Sequence, residues 1–130
     1  MVFYSESNNY KKELQAYLSN PEQLLVVCYC AAWCRSCEQY RIDFEQLHQQ
    51  MPEVLFVWCD IEDEPELLDD FDVDNFPTLL IQKNGQNLFF GTMLPHISHL
   101  QRLIQNAQTE PSNHVVEGPR AWSELLDLSA

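Results

Sequence analysis

Apolar residues recur along this chain with two different periods. Tyr10, Leu14, Tyr17 and Leu18 lie three and four positions apart, which predicts an amphipathic helix over 10–18 that Asn20-Pro21 stops. Leu24 to Ala32 is instead an unbroken run of apolar and small residues rich in Val and Cys, the pattern of a central strand covered on both faces. Helical spacing returns at Cys34, where Cys37, Tyr40, Arg41, Phe44, Leu47 and His48 line one side until Met51-Pro52. Val54 to Cys59 predicts a second buried strand, Pro65 to Phe71 a short helix with Leu67, Leu68 and Phe71 inward, and Thr78 to Gln82 a third strand. Lys83-Asn84-Gly85-Gln86 carries the Asn-Gly signal of a hairpin turn, so Asn87 to Phe90 returns as a fourth strand that Gly91 ends. Pro95 to Asn106 predicts a closing helix with Ile97, Leu100, Leu103 and Ile104 on one side.

Strands alternating with helices imply parallel pairing through crossovers, and the late hairpin adds an antiparallel edge. The expected architecture is α/β, a mixed central sheet flanked by helices on both faces. Thr109-Glu110-Pro111-Ser112-Asn113 reads as a linker, followed by a tail in which Trp122, Leu125, Leu126 and Leu128 suit a short amphipathic helix. The chain is therefore divided into a domain over 1–107 and an extension over 108–130, which docks on its own domain or on a partner.

Composition narrows the function classes. With 130 residues, 45% hydrophobic and 3 Gly, the sequence excludes a collagen-like or low-complexity chain and suits one compact domain. Seven Lys and Arg against 20 Asp and Glu give a net charge of −13, which disfavours nucleic acid and anionic membranes as partners. The uncharged stretch from Gln23 to Cys34 is shorter than the roughly 20 apolar residues a bilayer span needs. No secretory leader is visible in Met1 to Ser7, so a reducing, cytoplasmic setting is the expectation. The acidic residues concentrate between Asp60 and Asp74, a solvated segment or a surface that selects basic clients.

The chemistry lies in five cysteines, Cys28, Cys30, Cys34, Cys37 and Cys59, an odd number that is no evenly spread disulfide framework. Trp33-Cys34-Arg35-Ser36-Cys37 puts two thiols at Cys-x-x-Cys spacing where a buried strand hands over to a helix. Free backbone N–H groups and the positive end of the helix dipole favour an anion there, and Arg35 adds a permanent cation, so Cys34 is the expected nucleophile. Cys37, one helical turn inward, is placed to attack the resulting mixed disulfide and release the partner.

With Phe76-Pro77-Thr78 some 40 residues later and Lys83-Asn84-Gly85 in the hairpin, the chain resembles the thioredoxin family over roughly residues 1–107. The resemblance implies a thioredoxin-like fold and a thiol-disulfide oxidoreductase with a redox-active centre. It also implies a resolving Cys37, a cis-Pro77 facing the cysteines, and substrate contacts at Trp33, Phe76 and Pro77. Protein disulfides or dithiols are the implied substrates, a reductase or glutathione system the electron donor, and cell redox homeostasis the setting. No bound cofactor or metal is implied.

The sequence departs from that family between the cysteines and beneath them. Arg35-Ser36 stands where Gly-Pro is common, which points to a more oxidising couple. Cys28 occupies the place of a buried Asp and Trp58 that of its lysine neighbour, so the tuning of the site falls to Arg35 and Cys28 and slower resolution is expected. Cys28 and Cys30 are read as pointing to opposite faces of their strand, so that only one approaches Cys37; both, with Cys59, are taken as small buried hydrophobes. A minority reading makes Cys28 a reserve partner beneath the pair. Two other functions compete: a redox-inactive thioredoxin-like binding or chaperone module, and a Cys-ligated metal or iron–sulfur site, which the extended strand opposes.

Overall fold

The computed structural model describes residues 2–5, 10–31, 34–71, 73, 75–94, 96–109 and 115–129. Trp33, Asp72, Asp74, Pro95, the 110–114 stretch of the expected linker and the side chain of Leu128 lie outside the described residues. Strands β1 (Val2–Tyr4), β2 (Leu24–Cys30), β3 (Leu55–Asp60), β4 (Thr78–Lys83) and β5 (Gln86–Thr92) form one sheet in the order β1-β3-β2-β4-β5. β1 and β2 flank β3 in parallel, β4 runs antiparallel to β2, and β5 antiparallel to β4. The run expected to be central is central, and all seven residues of β2 are buried. Asn84 and Gly85 adopt φ of 53° and 75°, the left-handed pair that a tight hairpin needs and Asn-Gly supplies cheaply.

Alternation along the strands splits the core into two layers. Val26, Cys28, Cys30, Phe56, Trp58, Leu79 and Ile81 pack with residues of α2 (Arg35–Gln50) and α3 (Ile97–Thr109), chiefly Cys37, Tyr40, Phe44, Leu100 and Ile104. Leu25, Val27, Tyr29, Val57, Cys59 and Leu80 pack with α1 (Tyr10–Leu18), a 3-10 turn over Pro65–Leu68, and α4 (Trp122–Ser129). The sheet is thus mixed and covered on both faces.

Several boundaries differ from the sequence expectation, and the larger differences have physical reasons. β1 is only three residues long, too short to display a period, and exists by pairing with β3. The helix expected over 65–71 stops after one 3-10 turn because Asp69 takes φ 61°; Leu67 and Leu68 are buried as expected, whereas Phe71 lies past the turn with its ring edge-on to Phe90. Gly91 does not end β5, since it pairs with Leu79 and the ladder continues to Thr92. α3 starts at Ile97 and runs to Thr109, taking in the residue expected to open the linker.

The tail docks on its own sheet. Trp122 Nε1 donates to Tyr29 Oη at 2.9 Å, and Tyr29 Oη donates to the Leu67 carbonyl at 2.8 Å. The buried Gln82 amide accepts from Trp122 N at 3.1 Å and donates to Asn87 Oδ1 at 2.8 Å. Arg120 pairs with Asp69 through two guanidinium contacts of 3.1 Å, and Lys11 reaches Glu64 at 2.8 Å. Part of the acidic stretch therefore serves the chain's own cations.

His48, buried on α2 with its ring 5.1 Å from that of Phe56, yields a pH prediction. Burial holds its imidazole below the ordinary 6.5, with the Val54 backbone and Glu53 opposing. The unfolded chain then binds more protons than the folded one, so this contribution is complete above 6.5 and is lost as pH falls through the folded value. Urea midpoints are expected to fall on acidification below 6.5, and His48→Gln to flatten that slope. An equal slope in the variant would assign the acid sensitivity elsewhere.

Candidate functional site

β2 ends at Cys30, and the chain turns into α2 within four residues. Cys34 N donates to the Ala31 carbonyl at 3.0 Å. Cys34 is the N-cap of α2, with extended φ −85° and ψ 118° and no side-chain capping bond. Its carbonyl accepts from Cys37 N at 3.2 Å, so the two cysteines bracket the first helical turn. The first N–H groups of a helix have no partner within it, and Cys34 stands at that end of α2. Cys34 is half-buried, Arg35 and Ser36 are exposed, and Cys37 faces the core.

Cys37 is joined to Cys30 by a disulfide across Cα atoms 6.1 Å apart, a separation suited to that bond. Cys34 is a free thiol. Cys28 is also free, and its sulfur lies 3.7 Å from that of Cys30. The expectation that Cys28 and Cys30 point to opposite faces is corrected by this contact. Residues two apart in a strand share a face, and the side chain that points the other way is Tyr29 between them. Cys30 is likewise more than a core hydrophobe, because it holds the sulfur of Cys37. Cys59 lies in the opposite core layer. Burial, reinforced for Cys59 by the carboxylate of Glu64 and for Cys28 by Cys59, pushes both of these thiols well above the ordinary range.

Residues before β4 and after β5 pack on the same core layer. The Phe76-Pro77 peptide is cis, Pro77 is buried, and its carbonyl accepts from Met93 N at 3.1 Å at the start of β4. Phe76, Cys34 and Met93 are half-buried residues packed on the core layer that contains Cys28, Cys30 and Cys37. The structure thus brings Cys28, Cys30, Cys34, Cys37 and Phe76 together and leaves Arg35 at the surface.

Among the described residues, the positions beneath the cysteines hold Cys28 and Trp58 rather than a carboxylate and a lysine. Cys28 pairs in register with Trp58, and the guanidinium of Arg41 sits 4.4 Å over the Tyr4 ring and 5.9 Å from that of Trp58. Tyr40 Oη is buried without a hydrogen-bond partner among the described residues. Burial and then the proximity of Cys28 make that phenol hard to ionise, so it is a proton donor rather than a base. By its spacing Tyr40 is an apolar helix position like Phe44 and Leu47, and nothing in the sequence distinguishes it. Cys30 had a readable signal: its two-residue offset from Cys28 on a strand packed under a helix that begins Cys34-x-x-Cys37.

A family model for Thioredoxin matches residues 2–106. The chain is 34% identical over 62 residues to the mitochondrial Thioredoxin-3 of Saccharomyces cerevisiae, covering 48% of this chain and 49% of that protein. It is 31% identical over 77 residues to the Thioredoxin of Ophiophagus hannah, covering 58% and 73%. The match to the yeast relative therefore spans about half of that relative's length. The crystal structure of a thioredoxin from Nicotiana alata superposes with a TM-score of 0.69 over 81% of this chain and 90% of its own, at 22% identity, a likeness of fold.

Proposed function

The chain belongs to the thioredoxin family, and from that premise we propose that it is a thiol-disulfide oxidoreductase acting on protein disulfides through Cys34 and Cys37. One observation carries the reading: of the sulfurs gathered at the start of α2, that of Cys34 is half-buried and free, while Cys37 sits one turn behind it at 4% exposure. Cys34 attacks one sulfur of a substrate disulfide and expels the other as a thiolate. Cys37 then attacks the Cys34 sulfur and releases the second substrate thiol, so the substrate gains the two electrons that the cysteine pair loses.

Phe76, Pro77 and Trp33 are the proposed substrate contacts; for Phe76 and the adjoining Pro77 the support is that Phe76 packs on the same layer as Cys34, and for Trp33 it is the family resemblance alone. Arg35 and Cys28 set the electrostatics of the sulfurs from outside and from beneath. A reductase or glutathione system returns the electrons in a cytoplasmic, reducing setting, and the role is in cell redox homeostasis. Residues 1–107 carry this chemistry and 108–130 form an extension. No helix among the described residues is long and apolar enough to cross a membrane.

Insulin reduction in dithiothreitol, followed by turbidity, tests the activity. Pre-reduced, desalted Cys37→Ser mixed with insulin in the absence of dithiothreitol is expected to stall with a substrate thiol bound to Cys34, visible as an added mass that reductant removes. No insulin reduction by the intact chain, or adducts that form equally when Cys34 is replaced, would refute the reading.

A further inference from the structure

We propose that Cys30 is a third redox-active cysteine, which takes over Cys37 from Cys34 so that the oxidised protein stores its disulfide internally and keeps Cys34 free. This rests on the exchange reaction proposed above and extends it by one step. Three observations support it. The sulfurs of Cys30 and Cys37 are bonded. Both residues are nearly closed to solvent, at 2% and 4% exposure. Cys34 is the accessible sulfur, and it caps the helical turn that contains Cys37. Cys37 therefore lies between a surface partner on its own turn and a buried partner at the end of β2.

The added step balances without another reagent. The Cys30 thiolate attacks the Cys37 sulfur of a Cys34–Cys37 disulfide; the Cys30–Cys37 bond forms as the Cys34–Cys37 bond breaks. The Cys34 sulfur leaves with the bonding electron pair and takes up a proton equivalent to the one Cys30 gave up, so no electrons enter or leave the protein. The resulting disulfide joins two sulfurs of buried residues, which external thiols cannot reach directly. Re-reduction must run backwards through Cys34, which attacks Cys37, expels Cys30 and exposes the bond again. Of its three remaining thiols only Cys34 is then open to a substrate: Cys34 can capture a further disulfide, and Cys37, already bonded, cannot release it.

The test uses the full chain. The reduced protein is oxidised with oxidised glutathione, alkylated in its native state with iodoacetamide, unfolded and mapped by tandem mass spectrometry. Trypsin helps here, because cleavage after Arg35 puts Cys37 on a separate peptide from Cys28, Cys30 and Cys34. The expected product links Cys30 to Cys37 and carries the alkyl group on Cys34. In Cys30→Val, which keeps a small apolar side chain at the buried position, the bond is expected between Cys34 and Cys37, with native alkylation of Cys34 lost. Glutathione should reduce that variant more completely, by about tenfold in equilibrium constant or about 30 mV for a two-electron couple. A Cys34–Cys37 or Cys28–Cys30 bond in the oxidised parent protein would overturn the proposal without recourse to any variant. If the parent still reduces insulin in that case, the relay alone fails; if insulin is not reduced, the oxidoreductase reading fails first.

Discussion

Replacing Cys34 by Ser is expected to cut the rate of protein-disulfide reduction by roughly 10³-fold or more, the scale on which enzymes lose activity with their nucleophile. Exposure decides the magnitude. Cys28 and Cys59 are at 0%, Cys30 at 2% and Cys37 at 4%, so no other sulfur can meet a folded substrate without opening the core. Burial also pushes the Cys28 and Cys59 thiols up, which lowers the small thiolate fraction that could attack. Stability should hardly change. Cys34 makes no side-chain capping bond, and Ser is a favoured N-cap residue, so the variant is expected within about 1 kcal/mol of the parent and on the stable side if it moves. Insulin turbidity and a urea midpoint on the same preparation separate the two effects. Activity within tenfold of the parent would mean that a buried sulfur is reached by a substrate, and the order of attack would have to be rewritten.

How much was legible beforehand depends on whether a feature is local. α1 spans the residues its apolar spacing marks, and the Asn84-Gly85 turn takes the two positive φ values that its residue types favour. The Cys-x-x-Cys pair sits at a strand-to-helix junction because a long apolar run stops just before a helical period starts. The features that escaped are made by partners distant in sequence. β1 is defined by β3, Gly91 stays in its ladder because Leu79 holds it, and the 3-10 turn ends where Asp69 is tied to Arg120. The pairing of Cys37 belongs to the same class. Spacing alone favours Cys34, and the convergence of β2 with α2 brings in Cys30. The face assignment of Cys28 and Cys30 differs from these, because the two-residue period of a strand is a local rule and places them together.

Trp122→Ala is expected to destabilise the fold by about 3–5 kcal/mol, the usual cost of truncating a buried aromatic residue to alanine. Trp122 is 1% exposed and lies in the core layer formed by Leu25, Val27, Tyr29, Leu125 and Leu126. Its ring is tilted against Tyr29 at a centroid distance of 6.3 Å, and its N–H satisfies the Tyr29 oxygen, which in turn ties down the Leu67 carbonyl. Truncation opens a cavity under α4 and also withdraws a donor from a buried hydroxyl. Trp122→Phe separates these effects, since it keeps most of the apolar contact and removes the N–H; its cost should be nearer 1–2 kcal/mol. The family match ends at residue 106, whereas Trp122 belongs to a helix beyond it. The second face of the sheet is nevertheless closed by that helix together with α1 and one 3-10 turn. A cost below about 1 kcal/mol for Trp122→Ala, read from urea midpoints, would make α4 a peripheral cover. A cost in the expected range makes it part of the core, and dye binding to the uncovered face should then rise in a chain stopped after Thr109. Such a loss would reach the site through Tyr29, whose neighbours on β2 are Cys28 and Cys30, so the alkylation rate of Cys34 in the folded variants reports whether the two core layers are mechanically independent.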